Sequence, residues 1–239
     1  MRIYGINAVG EALKAGRVVS MRAGRRNDRR LQQLLALAAE ASVPVRRVSD
    51  EELDRESGQS SHQGVVADVS ERRVYELHDL IADALATPPA LIVVLDGIED
   101  PHNFGAILRT CDAVGAHGIV RQTRHSAPLS GATVTASAGA VAHVKIADVV
   151  NVARSVEELK EAGIWTIGLA ADAPSMYDKM DFTLSTALVL GAEGAGLRRL
   201  VRERCDLLAA IPLKGHVDSL NVSVAAGVVL FEALRQRQA

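Results

Sequence analysis

From residue 91 onward, short apolar stretches alternate with stretches of helical periodicity, and this alternation limits the possible folds most strongly. Six stretches could form buried strands: LIVVL (91–95), HGIV (117–120), AHVKI (142–146), IWTIGLA (164–170), TALVLG (186–191) and LLAAIP (207–212). Strands separated by helices predict an α/β domain whose mostly parallel sheet is covered by helices on both faces. Ligands bind beyond the carboxyl ends of such strands, so the loops after the strands are the candidate site.

The first 70 residues predict a second, smaller α/β unit. Helical patterns at 5–16, 28–41 and 49–57 alternate with apolar strands at 18–24, 43–48 and 62–70. A polar, partly helical stretch follows and ends in Thr87-Pro88-Pro89, where adjacent prolines stop any helix. We therefore predict three segments: an N-terminal domain (1–70), a linker (71–89) and a second domain (90–239).

Composition excludes some classes of protein. The formal net charge of −2 gives no overall nucleic-acid signature, although residues 17–30 contain six arginines and a single acidic residue, Asp28. That cluster is either a solvated helix start or a patch for an anionic partner. The spacing of Cys111 and Cys205 favours neither a disulfide framework nor a structural zinc site. Without a signal-peptide core or a run of 18 apolar residues, we expect a soluble, cytoplasmic protein and no membrane partner.

The first candidate loop follows the strand at 91–95. Asn103 lies where a helix N-cap is expected, after Pro101. Arg109 lies roughly 140° around the helix from Phe104, away from the apolar face. Two interpretations are open. The segment is either an ordinary capped helix with a solvated arginine, or it presents an amide and a cation that bind an anion or a hydroxyl group.

The second and third loops follow the last two long strands. GAEGAG (191–196) matches neither the phosphate-binding loop motif nor the dinucleotide-binding motif. Its glycines therefore either form a tight turn around Glu193 or let the backbone approach a ligand closely. In the third loop we expect a helix to begin near Ser219, as its N-cap. From Leu220 to Phe231 this helix is apolar almost all round, which predicts burial against the sheet or another subunit. Asn221 would then be a buried amide that needs partners.

Taken together, the three loops resemble a known family. N-x-G-x-x-x-R (103–109), G-A-E-G-x-G (191–196) and S-L-N-V-S-V-A-x-G (219–227) are similar, in this order, to the three motifs of the SpoU (TrmH-like) branch of the SPOUT RNA methyltransferases. GINAVGEAL (5–13) and HQGVVA (62–67) resemble the substrate-binding domain of its ribosomal RNA members. The resemblance therefore covers nearly the whole chain.

The resemblance implies more than periodicity can. It implies a C-terminal α/β domain with a deep trefoil knot, a homodimer through that domain, and an N-terminal RNA-binding unit with a ribosomal-protein-like fold. It also implies methylation of a ribose 2′-oxygen, of a guanosine in 23S ribosomal RNA, with S-adenosylmethionine as methyl donor and no metal.

The resemblance also implies roles for individual residues. The catalytic pocket would contain Asn103, Arg109, Glu193, Ser219 and Asn221. The cofactor would contact Leu190, Gly191, Gly194, Ile211, Leu220 and Asn221. RNA phosphates would contact Arg22, Arg25, Arg26, Arg29 and Arg30.

Other functions stay open at this point. The same reaction could act on transfer RNA or on a ribosomal site that confers antibiotic resistance. A non-catalytic RNA-binding assembly factor is a different class, which five polar groups in the predicted pocket argue against. A nucleotide hydrolase lacks a phosphate loop and metal-binding carboxylates.

Overall fold

The computed structural model describes residues 2–25, 28–58, 61–70, 75–127, 129 and 131–238. The chain forms two compact units: Met1–Arg73 with Pro128–His143, and Val74–Ala127 with Val144–Ala239. This division differs from the predicted boundaries in two ways. The segment 128–143 belongs to the N-terminal unit, and the predicted linker contains a helix of the second unit.

The first unit is built on a four-stranded sheet. Its elements up to residue 70 are β1 Arg2–Tyr4, α1 Ile6–Lys14, β2 Val18–Ala23, α2 Arg29–Glu40, β3 Val45–Arg47, α3 Asp50–Ser57 and β4 Val65–Val69. The strand order is β1-β4-β2-β3, in which only β2 and β3 pair in parallel. The predicted start of α3 is confirmed, because the Ser49 hydroxyl accepts a hydrogen bond from the Glu52 N–H (3.3 Å).

The remaining elements follow in chain order. They are α4 Leu77–Leu85, β5 Leu91–Asp96, α5 Pro101–Ala113, β6 Gly118–Gln122, α6 Gly131–Ala136, a 3-10 helix Ala140–Ala142, β7 Ile146–Val149, α7 Val152–Glu161, β8 Trp165–Leu169, β9 Ser175–Met176, a 3-10 helix Tyr177–Lys179, β10 Thr186–Gly191, α8 Arg199–Arg204, β11 Leu207–Ala210 and α9 Val222–Gln238. Of these, α6 and the first 3-10 helix lie in the first unit.

The second unit contains the predicted parallel sheet. Its order is β7-β6-β5-β10-β8-β11-β9, and every described pair is parallel. Helices α4, α7 and α8 share one core with alternate residues of the strands. Helices α5 and α9 pack against each other, and α9 also packs against β10. Two details differ from the predictions: β7 begins at Ile146 instead of residue 142, and the two-residue strand β9 was missed.

The last helix is less buried than predicted. Val222, Ala226, Val229, Leu230 and Ala233 are buried. However, Val224 and Phe231 expose 52% and 53% of their surface, so within a single chain the sheet does not cover all of the apolar surface of α9, and burial against another subunit stays a prediction. At the end of α9, the half-buried Arg237 guanidinium donates hydrogen bonds to four carbonyl oxygens, which fixes the end of the helix beside the starts of β5 and β10. These carbonyls belong to Phe182, Pro89, Ala90 and Leu184, at 2.8–3.0 Å.

Two findings concern the bulk properties. Among the described residues, no helix combines the length and apolar character needed to cross a membrane. Cys111 and Cys205 are free thiols, and burial raises the pKa of the Cys205 thiol to about 12, so it stays protonated at neutral pH.

Candidate functional site

The first loop leaves β5 through Gly97 and enters α5 at Pro101. The Asp100 carboxylate caps α5, accepting hydrogen bonds from the N–H groups of His102 (3.0 Å) and Asn103 (3.2 Å). The prediction of Asn103 as N-cap is therefore wrong: it is the third residue of the helix, and Asp100 provides the cap. As a result the Asn103 side chain is available for other contacts, and it is buried.

The three predicted loops meet at Asn103. Its side-chain N–H donates to a Glu193 carboxylate oxygen (3.1 Å), and its carbonyl oxygen accepts from the Asn221 side chain (2.8 Å). The parallel sheet makes this possible, because the carboxyl ends of β5, β10 and β11 lie along one edge. Asn103, Glu193 and Asn221 therefore form one hydrogen-bonded group.

The third loop differs from its prediction in detail. Helix α9 begins at Val222, and the Asn221 side-chain oxygen accepts from the Ser223 N–H (2.9 Å), so Asn221 takes the capping role expected of Ser219. Asn221 is exposed in the single chain, contrary to the expected burial. Ser219 is also exposed and lines the cleft described below.

Arg109 lies on the exposed side of α5, as its position off the apolar face predicted. Within the described ranges its side chain has no hydrogen-bond or ion-pair partner. It is thus a cation on α5 whose guanidinium is available to a ligand. Its predicted catalytic role stays a prediction.

The glycine-rich loop is a tight backbone hairpin. Ala192 and Gly196 exchange two backbone hydrogen bonds (3.1 and 2.8 Å), with Glu193 between them. A Cβ atom on Gly191 would lie 2.1 Å from the carbonyl carbon of Gly196, which no side chain can accommodate without moving backbone. The loop therefore requires glycine at position 191, where β10 ends.

A cleft of about 390 Å³ lies against this hairpin. It is within the size range of small-molecule sites. Its lining includes five of the six predicted cofactor contacts, namely Leu190, Gly191, Gly194, Ile211 and Leu220. The sixth, Asn221, does not line the cleft, and neither do Asn103 and Arg109. The predicted site therefore divides into a cleft and an adjacent polar group around Asn103.

Sequence reasoning missed several cleft residues. Ala170, Ala171 and Asp172 follow β8, and Arg202 of α8 donates two hydrogen bonds to the Asp172 carboxylate (2.8 and 3.0 Å). These bonds hold the pKa of Asp172 below its usual range, so the carboxylate stays negative at the cleft. The loop after β8 could have been found from the rule that placed the other three, since it leaves the same edge of the sheet.

A second missed pair lies beneath the loops. Asp96, the last residue of β5, is completely buried and accepts hydrogen bonds from the Arg198 N–H (2.8 Å) and its Nε–H (2.6 Å). Arg198 also donates to the side-chain oxygen of Gln122 at the end of β6 (2.8 Å). Arg198, two residues after the glycine-rich loop, thereby connects that loop to the ends of β5 and β6.

The predicted RNA contacts lie in the first unit and do not behave alike. Arg22 is largely buried and forms ion pairs with Glu56 (3.0 Å) and Asp68 (2.6 Å), so its charge is already paired within this unit, and its role as a phosphate contact stays a prediction. Arg25, Arg29 and Arg30 are exposed, without ion-pair partners among the described residues, whereas Arg26 lies outside the described residues. Strands β2 and β3 are parallel neighbours, so Arg47 at the end of β3 lies near the end of β2, where the exposed arginines follow. Its guanidinium donates a hydrogen bond to the Gly24 carbonyl oxygen (2.7 Å).

The parallel α/β sheet and the three loops at its carboxyl edge have the arrangement expected for the RNA methyltransferases that the three motifs resemble. Residues 90–231 match the model of the SpoU rRNA Methylase family, and residues 2–75 match that of RNA 2'-O ribose methyltransferase substrate binding domains. The chain belongs to the SpoU rRNA Methylase family, which confirms the resemblance of the three motifs.

Individual relatives agree with the family. The chain is 45% identical to the 23S rRNA (guanosine-2'-O-)-methyltransferase RlmB of Nitrosomonas europaea, over 88% of this chain and 81% of the relative. It is 44% identical to RlmB of Pseudomonas syringae pv. tomato, over 100% and 96%. Among solved structures, the SpoU methyltransferase AviRb of Streptomyces viridochromogenes with the cofactor AdoMet superposes with a TM-score of 0.83 at 28% identity, covering 100% of this chain and 90% of AviRb.

The steric requirement at Gly191 gives a testable prediction. We expect Gly191→Ala to displace the hairpin and weaken S-adenosylmethionine binding by about a hundredfold or more, because the added methyl group overlaps backbone that cannot rotate away. Gly215→Ala is the matched control, since a Cβ there meets no atom within 4 Å. Isothermal titration of both variants would measure the effect. Wild-type affinity in Gly191→Ala would show that the hairpin does not shape the cofactor cleft.

Proposed function

We propose that this protein transfers a methyl group from S-adenosylmethionine to the 2′-oxygen of a ribose in 23S ribosomal RNA, at a guanosine. One observation carries the proposal: Asn103, Glu193 and Asn221 converge beside a cleft of cofactor size. It is supported by the names of relatives that match almost the whole chain. Residues 2–75 match a substrate-binding domain, and the relatives named for 23S rRNA span that domain as well, which favours ribosomal RNA over transfer RNA.

The cleft fits the proposed cofactor. When bound, S-adenosylmethionine supplies a methyl group on a positively charged sulfur. Leu190, Ile211 and Leu220 would enclose it in a largely apolar lining, while Gly191 lets the hairpin backbone come close. No three metal-binding side chains converge within the described ranges, and the absence of a metal from the reaction stays a prediction.

The acceptor would lie on the Arg109 side of the polar group. A guanidinium has five N–H donors and no acceptor, so Arg109 would serve as a cation that binds the adjacent phosphate and polarises the ribose hydroxyl. A proton acceptor is still needed. The candidates are Glu193, Ser219 with a water, and the phosphate itself. The hydrogen bond from Asn103 that orients the Glu193 carboxylate favours Glu193.

We expect Arg109→Ala to lower kcat for methyl transfer by at least about a hundredfold, because positioning of the acceptor is lost. S-adenosylmethionine affinity should stay within about twofold, since Arg109 does not line the cleft. Arg154→Ala, an exposed arginine on α7, is the control. Single-turnover kinetics and titration would separate the two effects. Loss of cofactor binding in Arg109→Ala would contradict the assigned role.

The basic surface of the first unit would bind RNA through phosphates. Replacing Arg25, Arg29 and Arg30 with alanine should weaken RNA binding and reduce the salt dependence of log K by up to roughly 0.7–0.9 per lost contact. Lys14→Ala, an exposed cation elsewhere on this unit, should change neither quantity. Filter binding between about 50 and 200 mM salt would test this. An unchanged slope in the triple variant would place the RNA contacts on other residues.

We also propose a homodimer through the second unit. Val224 and Phe231 leave an apolar face of α9 exposed, and a second copy of the chain would cover it. The trefoil knot implied by the family resemblance and the cytoplasmic location expected from the sequence are part of this proposal.

Phe231→Glu should therefore convert the dimer to monomers, because a charge would be buried at the interface. Val19→Glu, a similarly exposed apolar residue of β2, should leave the dimer intact. Sedimentation equilibrium would distinguish them. A monomeric wild type would refute the dimer without bearing on the reaction.

The substrate is tested by transfer of labelled methyl from S-adenosylmethionine to unmodified 23S RNA, with 16S RNA and transfer RNA alongside. We expect label on 23S RNA alone, at a ribose 2′-oxygen. Label on transfer RNA alone would retain the mechanism and overturn the substrate. No label on any RNA, with cofactor still bound, would instead support a non-catalytic assembly factor or a ribosomal particle as substrate.

A further inference from the structure

A second groove opens at the carboxyl edge of the large sheet, on the side away from the cofactor cleft. It has a volume of about 470 Å³ and lies between the ends of β6 and β7 and the start of α8. Its lining residues are Gln122, Val150, Asn151, Val152, Ala153, Arg198, Arg199, Leu200 and Val201. None of them belongs to the predicted catalytic, cofactor or RNA-binding sets.

The groove combines exposed apolar and cationic side chains. Val150 and Leu200 expose 81% and 49% of their surface, although both are aliphatic. Arg199 is exposed beside Leu200, and its guanidinium pairs with Glu203 on the same helix. Aliphatic side chains can contact the face of a nucleobase, and guanidinium groups bind phosphate oxygens. A nucleotide matches both features, whereas a purely apolar ligand or a simple anion matches only one.

The position of the groove indicates which nucleotide it would bind. In the sheet, β5 lies between β6 and β10, so the acceptor loop after β5 has the groove on one side and the cofactor cleft on the other. Arg198 lines the groove and is hydrogen-bonded to Asp96, the residue at which that loop begins. An RNA strand with its reacting ribose at this loop would continue along the same edge into the groove.

We propose that this groove binds a nucleotide of the substrate RNA next to the methylated one. Its base contacts Val150 and Leu200, and its phosphate binds Arg199. The inference rests on the proposed function, because it assumes that RNA is the substrate. It adds a binding subsite to the second unit, separate from the basic surface of the first unit.

A charge reversal tests the phosphate contact with a closely matched control. Arg199 pairs with Glu203 at 2.9 Å and Arg154 pairs with Glu158 at 3.0 Å; both pairs span one helical turn, and the two arginine side chains are 78% and 77% exposed. Arg199→Glu should raise the KM for RNA about tenfold, with kcat and cofactor affinity within about twofold. Arg154→Glu, outside the groove lining, should change the KM less than about twofold. Equal changes in both variants, or none in Arg199→Glu, would overturn the proposal.

A combined change in RNA and protein tests the base contact. Abasic substitutions are placed one at a time in the RNA positions flanking the methylated nucleotide. With the wild-type protein, an abasic site at one of these positions should raise the KM for RNA about tenfold. With the Leu200→Ser protein, the same abasic site should change the KM little further, because the contact between the base and Leu200 is already lost. Independent, multiplicative effects at every position would overturn the proposal. Absence of methyl transfer by the wild type would refute the proposed function instead, so the two failures are distinguishable.

Discussion

The buried carboxylate of Asp96 is the interaction on which the geometry of the site depends. A fully buried charge is stable only when it is paired and hydrogen-bonded, and Arg198 provides both a backbone and a side-chain N–H. Gly191 lies opposite Asp96 in the register of β5 and β10. The glycine-rich loop thus begins opposite this carboxylate and is followed by Arg198, which pairs with it. Between these two points the hairpin brings the Gly196 backbone so close that only glycine fits at 191. The sheet therefore determines where Glu193 lies.

The hydrogen bonds around Asn103 extend this geometry to the third loop. Its amide has one orientation that satisfies both neighbours, with nitrogen towards the Glu193 carboxylate and oxygen towards the Asn221 amide. Asn221 also caps α9. The first turn of that helix and the orientation of Glu193 therefore both depend on the side-chain amide of Asn103. The helix with the exposed apolar face is thus connected to the site through two hydrogen bonds. A partner that positions α9 would also position the proposed proton acceptor.

The sequence predicted the sheet and the three loops because the strands of the sheet are mostly continuous apolar stretches, after which polar residues must cap a helix or bind a ligand. It failed where neighbouring polar residues compete for one role. Asp100 caps α5 in place of Asn103, and Asn221 caps α9 in place of Ser219. Contacts between distant positions were beyond prediction: the bonds from Arg198 to Asp96 and from Arg202 to Asp172 depend on the packing of α8, which local periodicity does not specify.

The net charge of −2 conceals a division of charge along the carboxyl edge of the large sheet. The cofactor cleft contains the carboxylates of Asp172, Glu193 and Asp218, with Arg202 as the cation in its lining. Around the acceptor loop and the second groove the exposed arginines Arg109, Arg124 and Arg199 alternate with the exposed carboxylates of Glu99, Asp100 and Glu203. Oppositely charged ligands are attracted over roughly a Debye length, about 8–10 Å at physiological salt. The excess of carboxylates in the cleft would therefore attract a cationic methyl donor, whereas RNA would be positioned on the other side of Asn103 by contacts with individual arginines and not by a net positive field.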